Sequence, residues 1–263
     1  MKTYVTSEYA DIILASAETE LLTHPAAAAV MKEFPQTFDI PTLPDGHRPS
    51  ISAPVLEAVG HIGAAPKRIL DLGSGEGTQG IYLATLGHDV TAIDSPSNAA
   101  YSNNWAQELG IQNNYRAFTG DARKIPSTEK FDVVMALSLL HFFDAADISL
   151  TVSGIQNATR SGGLNVFTVY GEDNPPQEMM PPRNLKQLFP RGMLRGMYGS
   201  NWQILRDEEG MATRAVKRDY LQANAVLIPT ICELITRKTA EPAPVTSAIS
   251  FNASRTGQIV IRR

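Results

Sequence analysis

The chain has 263 residues, of which 43% are hydrophobic and 19% are charged. This composition is typical of a folded globular protein and too apolar for a disordered one, and the length favours one α/β domain with additions over two equal domains. The net charge of −4 does not favour binding to a phosphate backbone, and the single cysteine, Cys232, excludes an intrachain disulfide or a thiolate metal cluster within one chain.

The first 64 residues are expected to form an N-terminal helical cap segment. Residues 7–22 and 53–62 have helix-like patterns, and a proline-rich stretch between them interrupts regular structure. Ser52, two residues before Pro54, is expected to cap the second helix with its hydroxyl. No signal-peptide pattern and no apolar run long enough to span a membrane is found, so we expect a cytoplasmic protein with no membrane partner.

From residue 67 onward, short apolar runs alternate with longer amphipathic ones. This pattern predicts βα units and a mostly parallel sheet. Glycines between the runs, including Gly87, Gly110, Gly162 and Gly163, are expected where a helix ends and the chain turns into the next strand. Strands are predicted at 67–72, 89–94, 115–119, 131–137 and 164–170, and helices at 78–86, 97–109 and 148–159.

The last third of the chain has a less regular pattern. A loop rich in proline and methionine precedes a predicted helix at 184–189 and a predicted strand at 202–208. The run 257–263 is predicted to be the final core strand. Between these two strands, residues 220–236 have an apolar helical pattern, so we interpret residues 213–256 as an insertion that either caps the site or makes a homodimer contact.

The strongest functional signal is the stretch RILDLGSGEGTQG, an apolar strand followed by a glycine-rich turn and the start of a helix. Glycine is needed where the backbone has positive φ or lies against a ligand, and Gly73, Gly75 and Gly77 provide such a surface. The turn also fits the dinucleotide pattern G-x-G-x-x-G, which would bind NAD. Asp71 favours S-adenosylmethionine (SAM) instead, because its carboxylate suits an ammonium group and repels a pyrophosphate.

Two further acidic residues follow predicted strands. Asp94 ends the second strand, where its carboxylate can accept both ribose hydroxyls of an adenosine or cap the next helix. After the third strand, Asp121 can accept a hydrogen bond from the adenine amino group and the Ala122 amide can donate to the ring, although an Asp that opens a turn is the simpler alternative.

Over residues 65–170 the chain resembles class I SAM-dependent methyltransferases, in particular the small-molecule, tellurite-resistance-type members. The matching features are LDLGSGEG, Asp94, GDA, FDVVMALSLLHF and SGGLNVF. The resemblance implies a Rossmann-like three-layer α/β sandwich with a core at 65–212 and a seven-stranded, mostly parallel sheet whose last strand is antiparallel. It also implies these cofactor-binding residues: Asp71, Gly73, Ser74, Gly75, Gly77, Asp94, Ser95, Gly120, Asp121, Ala122, Leu137 and Ser138.

The same resemblance places the segment SLLHF beside the reacting methyl group. His141 is then a candidate general base, although an imidazole packed beneath the cap is the alternative. Aromatic residues are candidates for the substrate wall, or else belong to the core. These substrate candidates are Tyr4, Tyr9, Phe142 and Tyr170, and Phe143 is a further candidate for the wall. The histidine and carboxylate spacings contain no metal-binding pattern, so no metal is predicted.

These features predict a SAM-dependent methyltransferase acting on a small-molecule substrate. A nucleic-acid or protein methyltransferase is one alternative, since the last third is mildly basic. Base-methylating enzymes carry an Asn- or Asp-Pro-Pro-aromatic signature where this chain has SLLHF, so a nucleic-acid partner is not expected. A non-methylating enzyme of the same fold, or an NAD-dependent one, is the other alternative.

Overall fold

The computed structural model of the chain describes residues 51–63, 65–125, 128–172, 185–211 and 230–239. In chain order, its elements are α1 (Ala53–Ile62), β1 (Arg68–Leu72), α2 (Thr78–Thr85), β2 (Asp89–Asp94), α3 (Pro96–Glu108), β3 (Tyr115–Thr119), β4 (Phe131–Leu137), a 3₁₀ turn (Leu140–Phe142), α4 (Ala145–Ala158), β5 (Thr159–Tyr170), a second 3₁₀ turn (Arg195–Met197), β6 (Trp202–Met211) and β7 (Thr230–Lys238).

The strands form one seven-stranded sheet in the order β3-β2-β1-β4-β5-β7-β6. Neighbours among β1 to β5 pair in parallel, and β7 runs antiparallel to both β5 and β6. Because side chains alternate between the faces of a strand, every strand except the edge strand β3 contributes to two hydrophobic layers. One layer packs against α1, α2 and α3, and the other against α4 and residues 189–198. The predicted three-layer α/β fold is therefore confirmed.

Most predicted elements of the core are confirmed. The bounds of α1, β2, β3 and β4 agree with the prediction, and Gly87 and Gly110 have φ of 88° and 70° directly after helices, where glycine is favoured. β5 begins earlier than predicted, at Thr159 instead of Leu164. Gly162 and Gly163 therefore lie inside this strand, near the register shift in its pairing with β4.

Ser52 precedes α1 as predicted, but its side chain does not cap the helix. The hydroxyl instead donates to Oε1 of Gln79 in α2 at 3.3 Å, and the Ser52 amide donates to the same oxygen at 3.0 Å. The start of α1 is thus joined to the first turn of the helix that follows the glycine-rich turn.

The helix predicted at 184–189 is wrong, because residues 185–189 are not helical. Their backbone groups bond to other segments. The amides of Lys186 and Gln187 donate to the carbonyl of His141, and the amide of Phe189 donates to the carbonyl of Tyr170. This segment therefore lies across the ends of β4 and β5, where Phe189 forms a parallel bridge with Gly171.

The helical pattern predicted over 220–236 is also wrong in its second half, because Thr230–Lys238 is β7. β7 fills the position that the sequence assigned to residues 257–263, which lie outside the described residues. Its segment TICELIT is rich in β-branched residues, which favour a strand, and a short apolar run fits a buried strand as well as a helix. The part of the predicted insertion at 230–238 therefore belongs to the sheet and is not a free cap or dimer surface.

Candidate functional site

The glycine-rich turn joins β1 to α2 and has three glycines with positive φ, at 66° for Gly73, 58° for Gly75 and 86° for Gly77. Two of them are crowded. A Cβ on Gly73 would lie 2.6 Å from the Leu139 side chain, and one on Gly77 would lie 2.6 Å from Ser102. A Cβ on Gly75 would meet nothing within 4 Å. Gly75 is therefore the glycine whose open side can lie against a ligand.

Asp94, at the end of β2, is bonded to this turn. Its Oδ2 accepts the amide of Gly75 at 2.7 Å, and its Oδ1 accepts the amide of Ser95 at 2.6 Å and the side-chain amide of Asn98 at 2.8 Å. Ser95 also begins α3, where its hydroxyl accepts the Asn98 amide. The carboxylate is thereby held between the glycine turn and the start of the next helix, where it can still accept ribose hydroxyls.

Asp71 is buried, unlike the other two predicted acidic residues, Asp94 and Asp121. Its side chain is 2% exposed, and its Oδ2 lies 3.0 Å from where a Cβ on Gly80 would be. Burial, then the charge of Asp94, raises the pKa of Asp71 to about 7, while a hydrogen bond from the Gly80 backbone opposes the rise. The carboxyl thus supports the first turn of α2 from beneath. Its predicted contact with an ammonium group remains a prediction.

Residues 120–123 follow β3 and lie opposite Asp94. The Gly120 amide donates to the Asp94 carbonyl at 3.0 Å, which places the next residues beside the end of β2. Both oxygens of Asp121 accept hydrogen bonds from the Arg123 guanidinium, each at 2.9 Å. These bonds lower the pKa of Asp121 and keep its carboxylate ionised.

The end of β4 is held by Thr168 of β5. Ser138 has φ of 53°, a left-handed conformation uncommon for a residue with a side chain. Its amide donates to both the carbonyl and the hydroxyl of Thr168, at 2.8 and 2.9 Å. Leu137 before it is buried. These bonds fix the sharp turn that brings Leu139 over Gly73.

His141 is 1% exposed and lies against two aromatic rings. Its ring centroid is 4.4 Å from that of Phe142 and 4.4 Å from that of Tyr170. Phe142 is 37% exposed, whereas Tyr170 is buried. The structure thus brings His141, Phe142 and Tyr170 together, and presents Phe142 to solvent. The catalytic role of His141 remains a prediction.

A cleft of about 370 Å³ lies at the carboxyl ends of β1 to β4, a size at the lower end of small-molecule sites. We call it the strand-end cleft. It brings together many residues singled out from the sequence. These are Gly73, Asp94, Ser95, Gly120, Asp121, Ala122 and Phe142.

Other predicted residues lie outside this lining. Among the described ones, they are Asp71, Ser74, Gly75, Gly77, Leu137, Ser138, His141 and Tyr170. Tyr4 and Tyr9 lie outside the described residues. Ser74 accepts the Gly77 amide through its carbonyl at 3.0 Å and so shapes the glycine turn.

Four lining residues were not singled out from the sequence as site residues. These are Ile93, Arg123, Asp147 and Lys186. No motif spacing marks Asp147 or Lys186, which lie in segments after β4. Arg123 is the one that local sequence could have indicated, because a cation two residues after Asp121 can form an ion pair with it.

The described part of the chain contains neither a candidate membrane span nor a candidate metal centre. No helix there combines the length and apolar character needed to cross a membrane. Within the same residues, no group of three or more His, Cys, Asp or Glu side chains is arranged to hold a metal ion.

The sheet order, the glycine turn after β1 and the acidic end of β2 define the fold of class I SAM-dependent methyltransferases. A family model described as tellurite resistance protein TehB matches residues 48–226. The chain belongs to this family.

Curated relatives match about half of the chain. Hemagglutinin 1 of Eikenella corrodens is 29% identical over 147 residues, 56% of this chain and 47% of that protein. A probable SAM-dependent methyltransferase TehB of Haemophilus influenzae (strain 10810) is 26% identical over 149 residues, 56% and 50% of the two chains. A ubiquinone biosynthesis O-methyltransferase of Stutzerimonas stutzeri is 30% identical over 139 residues, 50% and 57%. The chain thus spans about half the length of the curated relatives it matches.

Solved structures of other proteins share this fold over a larger part of the chain than the curated relatives match. TehB from Haemophilus influenzae has a TM-score of 0.59 at 20% identity, covering 80% of this chain and 66% of that one. A magnesium protoporphyrin IX methyltransferase from Synechocystis, solved with bound S-adenosylhomocysteine (SAH), has a TM-score of 0.55 at 18% identity, covering 70% and 80%. The [4+2]-cyclase SpnF has a TM-score of 0.57 at 15% identity, covering 87% and 97%. Since a cyclase shares the fold, the fold alone does not decide the reaction.

Proposed function

We propose that the chain binds SAM in the strand-end cleft and transfers its methyl group to a small-molecule acceptor. The observation that supports this most directly is the convergence of Gly73, Asp94 and Asp121 on one cleft, each at the end of a different parallel strand. A nucleoside with an attached amino acid needs a glycine surface, a ribose acceptor and a base acceptor in that arrangement. The names of TehB and of the ubiquinone biosynthesis relatives agree with it.

The described residues fit this cofactor. Gly73 lines the cleft, and Gly75, just outside the lining, offers open backbone next to it. Asp94 is held by amides of the turn and of α3, so its carboxylate is oriented before the ribose arrives. Leu139 and Phe142 line the cleft on the side of β4 and give it an apolar wall.

When bound, SAM would supply an electrophilic sulfonium methyl group: an acceptor lone pair forms the new bond to the methyl carbon in line with the carbon–sulfur bond, which breaks with its electron pair left on sulfur, so that SAH is the leaving group. The protein's contribution is to orient the two partners and to exclude water. Phe142 is exposed at the cleft and Leu139 packs on Gly73, so both are suited to limiting water near the methionine end. The proposed base, His141, is buried against Tyr170 and Phe142, so it would need an acceptor to reach past Phe142.

The acceptor is proposed to be small, because the cleft itself is small and because the matched family is named for tellurite resistance and one relative for ubiquinone biosynthesis. We further propose a cytoplasmic location, supported by the single cysteine. A homodimer is retained as a proposal, with no contact surface assigned to it.

Titration calorimetry with SAM, SAH and NAD tests the cofactor. We expect SAM and SAH to bind and NAD to give no heat of binding. Formation of SAH in the presence of tellurite, a catechol or a primary amine then tests methyl transfer and sorts acceptor classes. Binding of NAD with no binding of SAH would refute the proposal. Binding of SAH with no turnover of any acceptor tested would favour a non-methylating role.

A further inference from the structure

Arg123 makes the most extensive set of contacts among the charged side chains that line the strand-end cleft. Its Nε donates to Oδ1 of Asp121 and its Nη2 to Oδ2, both at 2.9 Å, while its own backbone amide donates to Oδ1 at 3.0 Å. This is the two-pronged geometry that matches a planar guanidinium to a carboxylate. Asp121 is therefore fixed both by the side chain and by the backbone of a residue two positions away.

The remaining terminal nitrogen of Arg123 reaches across the cleft. Nη1 donates to Oδ2 of Asp147, in the first turn of α4, at 2.8 Å. The guanidinium carbon also lies 5.7 Å from the centre of the Phe143 ring, within the range of a cation–π contact. Arg123 thus ties the loop after β3 to the segment after β4, and all four residues line the same cleft.

A carboxylate has about four lone-pair positions, and an ionised one only accepts hydrogen bonds. Arg123 occupies one side of the Asp121 carboxylate and leaves acceptor capacity for a donor from the cleft. The exocyclic amino group of adenine is such a donor. A carbonyl oxygen in its place would repel the Asp121 carboxylate, because both groups only accept hydrogen bonds. A fixed, ionised Asp121 can therefore distinguish adenine from hypoxanthine.

We propose that Arg123 is a positioning residue that holds Asp121 for the amino group of the cofactor's base and so makes the cleft select adenosyl over inosyl ligands. This inference rests on the proposed function, because it takes the strand-end cleft to be the SAM site. Arg123 does not itself contact the reacting atoms. The opposing hypothesis is that Arg123 competes with the base for Asp121, in which case its removal would tighten binding.

The test compares SAH with S-inosylhomocysteine, in which a carbonyl replaces the amino group of the base, by titration calorimetry. Arg123→Lys keeps the charge and loses the fork, and Asp121→Asn removes the ionised acceptor. Arg116→Lys is the matched control, because Arg116 also pairs with an aspartate, Asp89, on the surface and does not line the cleft. Circular dichroism and melting temperature check that each variant is folded.

The parent protein should prefer SAH by about tenfold or more, as expected for a hydrogen bond to a charged group. Arg123→Lys should lower that preference several-fold while affinity for S-inosylhomocysteine stays within about twofold, and Arg116→Lys should leave the preference unchanged. In an Asp121→Asn background, Arg123→Lys should have no further effect on the preference, because Arg123 acts through Asp121.

Three results would overturn the inference. These are a tighter SAH complex with Arg123→Lys, an equal loss for both ligands, and a preference that Arg123→Lys leaves unchanged. If the parent protein binds neither ligand, the proposed function fails instead, so the two failures are distinguishable.

Discussion

The backbone amide of Gly75 donates a 2.7 Å hydrogen bond to Oδ2 of Asp94. The bond joins the turn after β1 to the end of β2, two neighbouring strands that pair in parallel up to Leu72 and Ile93. The open side of the glycine and the anchored carboxylate are therefore set relative to each other by a direct contact. Changes at either residue should act on the same ligand.

Replacing Asp94 by Ala should weaken SAM and SAH binding by about tenfold to a hundredfold, since a hydrogen bond to a charged group contributes about 1.5 to 3 kcal/mol. Titration calorimetry measures the loss. Asp89→Ala is the matched control, because Asp89 lies at the other end of β2 and contacts Arg116 on the surface. Unchanged affinity in a folded Asp94→Ala protein would contradict the assignment.

Gly75→Val should abolish SAM binding and leave the sheet intact. The added side chain would occupy the open side of the turn, and the positive φ of 58° adds strain of about 1 to 2 kcal/mol. Gly87→Val is the control for strain alone, because Gly87 has φ of 88° and equally open surroundings but follows the far end of α2. Both variants should lose similar stability, and only the first should lose the ligand. SAM binding by Gly75→Val at parental strength would show that the turn does not contact the cofactor.

Asp71→Asn should change the pH dependence of stability. The folded pKa of about 7 lies above the value of about 3.9 of an unfolded Asp, so the folded chain holds a proton that the unfolded chain has lost. The contribution of Asp71 to the free energy of unfolding is therefore greatest below about pH 4. It falls by up to about 4 kcal/mol as the pH rises to about 7.

Urea unfolding at several pH values from 4 to 8 measures this. Relative to Asp71→Asn, the parent protein should become less stable as pH rises through the window and level off above about pH 7. If the difference in unfolding free energy between the parent protein and Asp71→Asn does not change with pH, the raised pKa of Asp71 is contradicted.

Arg206→Met should destabilise the protein by about 3 kcal/mol, because it leaves two partly buried carboxylates without their cation. The Arg206 side chain is 8% exposed and lies 2.8 Å from Glu57 of α1 and 2.7 Å from Glu233 of β7. Arg195→Met removes the exposed pair with Asp207 and should cost less than about 1 kcal/mol. Chemical unfolding measures the loss of stability in both variants. Equal losses for Arg206→Met and Arg195→Met would contradict a special role for Arg206.

Deleting residues 1–20 should leave SAM affinity within a few fold and nearly eliminate turnover of an identified acceptor. The expectation comes from the hypothesis that the N-terminal segment closes over the carboxyl edge of the sheet, where water must be excluded. Binding is measured by calorimetry and turnover by SAH formation. If the shortened chain keeps full activity, the cap hypothesis is wrong.

Local patterns predicted the part of the site formed by consecutive residues. The glycine turn, Asp94 and Asp121 each follow a strand whose apolar run is plain in the sequence, and parallel strands bring their carboxyl ends to one edge. The ion pair between Arg123 and Asp147 depends on where α4 packs, which no spacing encodes. β7 was missed for a different reason, since the pattern of TICELIT is compatible with either a helix or a buried strand.

The insertion of β7 between β5 and β6 has a consequence for synthesis of the chain. β6 is made before β7, and among the described strands it pairs only with β7, so it cannot join this sheet until Thr230–Lys238 has left the ribosome. Until then, the hydrogen-bonding edge of β5 that β7 covers is open along the mostly apolar run from Leu164 to Tyr170. An unpaired apolar edge of this kind is prone to pair with other chains. A nascent chain stalled before residue 230 should therefore be a substrate for chaperones, whereas release of about ten more residues closes the edge.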